Sequence, residues 1–376
     1  MKFIVSSSSL LKQLSKIHGV VTTNPVVPIL ENFLFEIDGE SGKLTVTASD
    51  LQSSMITEIE VNAQESGSIA IPAKILLDTL KNLPEQPVTI SVDEETSGIE
   101  ISSENGLYKL TGENPTDFPR TSSVEGGQSI ELSGEVMSRA INNTLFAAGT
   151  DDLRPAMTGV YMNLNAENIT FVATDGHRLV RYRRSDIEGA SEASIILPRK
   201  ALNLLKSTLP TDETPVTIEF NDANAFFSFN NLRLICRLID ERFPDYENVI
   251  PLDNHNEMTI NRAQFLSTLK RLAIYANKTT NQVRLSIKGN DLAVHAEDLD
   301  FSNEANETLA CQHSGEDIDI GFNAKFLIEM LNNVNATEVT FQFSQPNRAG
   351  LIVPTDQDEN EDLLMLVMPV MLNNYY

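Results

Sequence analysis

The sequence predicts an α+β protein of three similar repeats, each about 125 residues long and each holding two helices among short strands. Three independent registers support this. Phe118-Pro119, Phe243-Pro244 and Met368-Pro369 recur at intervals of 125 and 125 residues. The lysines of Ile71-Pro72-Ala73-Lys74, Leu197-Pro198-Arg199-Lys200 and Phe322-Asn323-Ala324-Lys325 lie 126 and 125 apart. Asp50, Asp175 and Asp298 each follow a short alternating run, at spacings of 125 and 123. One register could arise by chance, but three that agree mark a repeat architecture. The joints fall in the polar stretches Ser122 to Gln128 and Leu252 to Glu257, giving domains 1–125, 126–252 and 253–376.

In each repeat the first helix carries apolar residues at i, i+4, i+7 and i+11, which builds one buried face. These are Leu10, Leu14, Ile17 and Val21, then Met137, Ile141 and Ala148 with a lapse at Thr144, then Phe265, Leu269, Leu272 and Ala276. Ser6, Ser133 and Asn261 precede the three patterns as N-caps. The second helix opens at the Pro or Asn landmark, with Pro72 and Pro198 suited to a first turn. Val88-Thr-Ile-Ser-Val, Val216-Thr-Ile-Glu-Phe and Val339-Thr-Phe-Gln-Phe alternate with period two, as half-buried strands do.

Charge is distributed unevenly between these elements. The chain has 28 Lys+Arg against 53 Asp+Glu, a formal charge of −25. Such a field repels polyanions and argues against an openly exposed nucleic-acid or anionic-membrane binder. Yet the helical segments 7–18, 73–83, 134–146, 199–209, 262–278 and 323–333 hold 13 of the basic residues and only three of the acidic ones, Asp78, Glu135 and Glu329. Helix propensity explains the lysines but not the missing glutamates, because glutamate is an equally good helix former. A common space that tolerates a polyanion explains both. Duplex DNA there would meet Lys and Arg at its phosphates without base reading.

Several function classes are excluded. Cys236 and Cys311 are the two cysteines, without a CxxC partner, so neither a disulfide scaffold nor a zinc site is expected, and a reducing cytoplasm is the expected setting. The apolar run after Met1 is too short for a signal peptide, and Leu363 to Leu372 is about half of a bilayer span, so no membrane association is expected. No GxSxG, HExxH or P-loop pattern occurs, and His18, His177, His255, His295 and His313 lack ligand spacing. Asp175-Gly-His177 could form half of a hydrolytic dyad, but Asp50 and Asp298 recur without a histidine, so a strand-end turn is the better reading. The chain is expected to be non-catalytic, with no cofactor and no metal. An acidic repeat scaffold that binds proteins without encircling DNA is the alternative, and it gives no reason for the basic helices.

The start Met1-Lys2-Phe3, the stretch Pro25-Val-Val-Pro28-Ile-Leu30, Thr174-Asp-Gly-His-Arg-Leu179, Leu197-Pro-Arg-Lys200, Arg242-Phe-Pro-Asp-Tyr246 and Val367-Met-Pro369 together resemble the bacterial DNA polymerase III beta subunits, the sliding clamps. The resemblance spans all three repeats. It implies a DNA-clamp fold and a head-to-tail homodimeric ring, with helices lining the hole and sheets outside. It also implies loading onto double-stranded DNA by a clamp loader, and tethering of the DNA polymerase III catalytic subunit. The implied DNA-facing residues are Lys12, Lys16, Lys74, Lys81, Arg139, Arg199, Lys200, Lys206, Lys270 and Arg271. Asn24 and Asn248 stand where the family often has a basic residue.

The resemblance further implies a hydrophobic cleft for short peptides of polymerases, the loader and repair proteins. Its matching residues are Met157, Thr174, Gly176, His177, Arg178, Leu179, Pro244, Val249, Val367, Met368, Pro369, Val370 and Leu372. Methionine and branched aliphatics make an adaptable groove that suits several partners. Met371 replaces a common arginine, and Asn373 to Tyr376 extend the chain, so peptide preference is expected to differ. For the dimer seam, Tyr108 and Leu110 match an edge strand, and Ile274 with Tyr275 match the helix facing it.

Overall fold

A computed structural model describes residues 1–372 apart from Glu125, Glu188, Ala190 and Ser191. The terminal Asn373 to Tyr376, with its two tyrosines, therefore lies outside the described residues. Six α-helices occur among the described residues: α1 (Ser7–Ile17), α2 (Ala73–Asn82), α3 (Gly134–Thr144), α4 (Arg199–Thr208), α5 (Arg262–Leu272) and α6 (Ala324–Asn332). The expected caps form. Ser6 accepts from the Ser9 N–H, Ser133 from Val136 and Asn261 from Gln264. The expected faces are buried too, as Leu10, Leu14 and Ile17 show in α1 and Phe265, Leu269 and Leu272 in α5. Thr144 fits its apolar face because its hydroxyl donates to the Ala140 carbonyl at 2.6 Å, leaving no unsatisfied polar group.

Two expectations about helix ends are corrected. The fifth helix stops at Leu272 rather than 278, because the Ile274 and Tyr275 N–H groups turn to Arg271 and Leu272, three residues back. Ile274 and Tyr275 thus stand on a turn after the helix, not on the helix itself. Pro72 and Pro198 end the preceding strands, one residue before α2 and α4 begin.

The chain groups into two compact units: Met1–Ser138 with Lys200–Leu238, and Arg139–Arg199 with Ile239–Tyr376. The middle repeat is divided between them because sheets run across repeat boundaries. In the first unit an eight-stranded sheet joins Gly67–Pro72, Asn32–Asp38, Lys43–Ser49 and Ser53–Glu60 of the first repeat to Leu232–Arg237, Asn224–Phe229, Pro215–Phe220 and Gln128–Ser133 of the second. The junction is antiparallel, with Leu232 opposite Thr57 and Cys236 opposite Ser53. The unit's other sheet has five strands and ends at Leu107–Thr111, which among the described residues pairs only with Gly98–Ser102.

The second unit repeats the plan. A nine-stranded sheet joins Ala193–Pro198, Gly159–Leu164, Ile169–Thr174 and Arg178–Arg184 to Glu361–Val367, Gly350–Pro354, Glu338–Phe343, Asn256–Asn261 and Gln312–Ser314. Here Arg178 lies opposite Val367 and Arg184 opposite Glu361. The four-stranded sheet ends at Asn303–Ala310, which among the described residues pairs only with Asp291–Asp298. Within the units, α1 packs on α2 and α5 on α6, and α5 lies against the Asp291–Asp298 and Asn303–Ala310 strands.

Candidate functional site

The thirteen cleft candidates all belong to the second unit. Its centre is the turn between Ile169–Thr174 and Arg178–Arg184. The Asp175 carboxylate accepts the backbone N–H groups of His177 at 2.9 Å and Arg178 at 3.0 Å. Thr174 closes the turn from the other side, donating its hydroxyl to the Arg178 carbonyl at 2.7 Å and accepting the Gly176 N–H at 3.1 Å. Gly176 has φ +89, a left-handed conformation that favours glycine, and the Arg154 guanidinium lies beside it. Asp50 and Asp298 brace their turns in the same way, accepting the N–H groups of Gln52 and Asp300. The recurring aspartate is a turn brace, as its repetition suggested.

The turn presents His177 and holds Arg178 beneath it. The Arg178 guanidinium bonds Asp175 at 3.1 Å, Glu329 and the Phe146 carbonyl at 2.9 Å. Its central carbon sits 4.7 Å from the Phe326 ring centroid, a cation–π contact. The His177 ring stacks on Phe326 at 6.2 Å, and its carbonyl accepts the Met368 N–H at 2.8 Å. Met368 is exposed beside half-exposed Pro369. The chain then follows the Ile318–Asn323 strand, where Val370 bridges Gly321 and Leu372 covers the space a Cβ would need.

A buried apolar cluster adjoins this turn through Leu179 and Leu366. Leu179, Val172, Ile196, Phe243, Ile250, Leu351, Leu364 and Leu366 form one buried cluster, with Ala156, Tyr161 and Tyr246 packed against it. Tyr161 stacks on Phe243 at 4.8 Å. Exposed Val249 and half-buried Pro244 and Met157 are chain neighbours of that cluster's Ile250, Phe243 and Ala156. Thr174, Arg178, Leu179 and Val367 are themselves buried, so they support the surface rather than form it. The structure adds Phe326, Arg154 and Tyr246, which the sequence reading missed. Phe326 had a visible signal: it is an aromatic lying off the α6 face made by Ala324, Leu327, Met330 and Leu331.

The basic candidates divide into two groups. Arg139 binds Asp358 at 2.8 Å and Glu361 at 2.5 Å, Arg271 binds Glu307 at 2.6 Å, and Lys200 pairs with Asp50. Arg199 donates to the Ala148 carbonyl at 2.8 Å. These four have local roles that hold their side chains. Lys12, Lys16, Lys74, Lys81, Lys206 and Lys270 have no carboxylate within ion-pair distance among the described residues. Burial, with Lys12 one turn away, pushes the Lys16 ammonium below its ordinary value. Lysine in a last turn suits the helix dipole, but that same rule would place acids in first turns. Only α3, with Glu135, has one there. Helix stability therefore does not account for the pattern.

Among the described residues no cluster of ligating side chains could hold a metal, and no helix is long and apolar enough to cross a membrane. Comparison with known proteins covers the whole chain. The N-terminal, central and C-terminal domain profiles of the DNA polymerase III beta subunit match residues 1–122, 131–245 and 247–370. The beta sliding clamp of Synechocystis is 29% identical over 397 residues, covering all of both chains. That of Vibrio cholerae is 28% identical over 373 residues, covering 99% of this chain and all of the relative. The crystal structure of the DNA polymerase III subunit beta from Pseudomonas aeruginosa superposes with a TM-score of 0.94 at 28% identity, across 99% of this chain and all of that one. The chain belongs to the DNA polymerase III beta subunit family, the bacterial sliding clamps.

Proposed function

We propose that two copies of this chain close head to tail into a ring that encircles duplex DNA, slides along it without reading sequence, and tethers the replicative polymerase. One observation carries the reading. At each internal junction, the strand after the aspartate turn in one repeat pairs with the last strand of the next repeat: Ser53–Glu60 with Leu232–Arg237, and Arg178–Arg184 with Glu361–Val367. Among the described residues the same rule leaves two edges without partners, Leu107–Thr111 of the first repeat and Asn303–Ala310 of the third. An exposed strand edge is a liability that proteins cover or pair. A head-to-tail contact between copies satisfies both edges and closes a ring. Tyr108 and Leu110 lie on the first of these edges, and Ile274 and Tyr275 on the turn after α5, which packs against the second.

The six lysines that have no carboxylate partner among the described residues, with the near absence of acid on the helices, support a helix-lined hole that accepts phosphates in an otherwise acidic chain. A topological link needs little affinity, so weak phosphate contacts are an advantage. The rim of His177, Phe326, Met368 and Pro369 beside the Leu179–Phe243 cluster suits the apolar peptides of polymerases, loaders and repair proteins. The Asp175 carboxylate is committed to its turn, which supports a non-catalytic role.

The test is retention on DNA of different topology. The protein is loaded by a cognate loader and ATP onto nicked circular plasmid, separated from free protein, and the plasmid is then cut once. Release on linearisation is expected. Retention on the cut DNA would show ordinary affinity binding and overturn the ring.

A further inference from the structure

A hollow of about 620 Å³ lies in the second unit, just past Pro369 along the chain, where Met371 and Leu372 line it. Glu316, Asp317 and Asp319 line it too, from the start of the Ile318–Asn323 strand and the turn before it. All three acids are exposed, and among the described residues no Lys or Arg comes within ion-pair distance of them. The lining itself holds no basic residue. The hollow is linked to the rim by a short stretch of chain. Met368 and Met371 are three residues apart, at most about 10 Å. The Val370–Gly321 bridge fastens that stretch to the strand that carries Asp319.

Carboxylates alone would make only an acidic surface, but two further groups in the same lining are unmet. Asn256 is 3% exposed, and its carboxamide oxygen accepts the Glu316 N–H at 2.9 Å. Its amide nitrogen has no acceptor among the described residues. The Ser344 hydroxyl is buried and has no hydrogen-bond partner among them either. A buried donor costs free energy until something accepts from it. A bare metal ion answers the carboxylates but not the Asn256 N–H, since metal ligands are electron-pair donors. A peptide answers both, with a cationic side chain for the carboxylates and a backbone carbonyl for the N–H. The aliphatic stem of a lysine or arginine also suits Met371 and Leu372, which flank the acids.

We infer that this hollow takes a lysine or arginine of the same peptide whose apolar residues occupy the rim at Met368 and Pro369. The chain then selects partners that carry a basic residue about three or four positions from their apolar anchor, the reach set by the Met368 to Met371 span. This rests on the cleft reading above and adds the specificity of that site. Pairs of this kind, partly exposed, act on selection and encounter more than on total affinity.

Fluorescence anisotropy of the full chain tests this with short labelled peptides that share a Leu-Leu-Phe anchor. A Lys-Arg, Gln-Gln or Glu-Glu pair stands about three residues from the anchor, on either side, and a control peptide carries Lys-Arg about eight residues away. Wild type is expected to bind the near Lys-Arg peptide about tenfold more tightly than the Gln-Gln peptide, and the Glu-Glu peptide more weakly than both. High salt should erase that order. Combining Glu316→Gln, Asp317→Asn and Asp319→Asn should abolish the preference and leave Gln-Gln binding as in wild type. These side chains are exposed and the replacements keep an acceptor oxygen, so thermal unfolding should match wild type. A preference that survives the triple substitution, or that the distant Lys-Arg pair shows equally, belongs to the overall charge of −25 and overturns the inference. Anchor-dependent binding with no preference overturns it as well and leaves the cleft standing. Failure of every anchor peptide to bind, or binding untouched by Met368→Ala with Pro369→Ala, overturns the cleft reading itself.

Discussion

The two internal junctions have the same backbone pairing and opposite side-chain chemistry. Where Leu232–Arg237 meets Ser53–Glu60, the facing residues are Leu232, Leu234, Ile235 and Cys236 against Thr57, Met55, Ser54 and Ser53, and most are buried. Arg233, opposite Ile56, lies over the Phe226 ring and 3.9 Å from Glu219. Where Arg178–Arg184 meets Glu361–Val367, four arginines are paired. Arg178 takes Asp175 and Glu329, Arg181 takes Asp362 and Glu247, Arg183 takes Glu247, and Arg184 takes Asp186 and Glu361. Burial and the Glu361 carboxylate raise the Tyr182 phenol above its ordinary value, so it stays a donor to Glu361 at 2.6 Å. The charged junction ends in the turn that presents His177 and in the strand that leads to Met368 and Pro369. Directional bonds there fix that turn and strand, which apolar packing alone would leave free to shift.

Breaking the charged junction should have the largest effect. Glu361 accepts from Arg139, Arg184 and Tyr182, and its side chain is almost wholly buried. Glu361→Ala should cost about 3–5 kcal/mol in urea unfolding, since it strands buried donors without a partner. At the apolar junction, Leu234→Ala should cost about 2–5 kcal/mol by leaving a cavity. The two should be separable by salt, because only the first variant removes ion pairs. A Glu361→Ala cost as small as that of a surface substitution would mean the arginine ladder is ornamental.

Between these lies the surface itself. Met368→Ala with Pro369→Ala should weaken a partner peptide about tenfold or more in fluorescence anisotropy. The dimer should persist, because neither residue lies on a free edge. Loss of the dimer would show the cleft assignment to be wrong. The smallest effect is expected from pH. The Arg184 guanidinium holds the Asp186 carboxyl below its ordinary value. A depressed carboxylate contributes stability that is fully present above its unfolded pKa, about 3.9, and is lost as pH falls through the folded value. Stability should therefore fall below about pH 4, and Asp186→Asn should flatten that fall by under about 1 kcal/mol, because the group is exposed. An unchanged acid limb in that variant would remove Asp186 from the account.

The sequence by itself determined everything that a short window can encode. Ser6, Ser133 and Asn261 start helices because each needs only an N–H three residues ahead. Asp50, Asp175 and Asp298 brace turns with groups two residues away. The apolar period that buries Leu10, Leu14 and Ile17 needs only the helix's own pitch. Repetition then carried the local pattern to the whole chain, and a family resemblance in scattered motifs carried it to a function.

Tertiary structure decided which charges are available and which edges are covered. Arg139 counted as a free cation in the sequence, but it meets Asp358 and Glu361 about 220 positions later. Phe326 meets His177 because α6 brings it there, a meeting that no period in either segment records. Ile274 and Tyr275 left their helix when the backbone turned to bonds three residues back, which helix propensity alone does not foretell. Local pattern specifies an element because its partners lie within a turn or two. Pairing between distant strands and ions depends on where the fold places them, and that is fixed by packing.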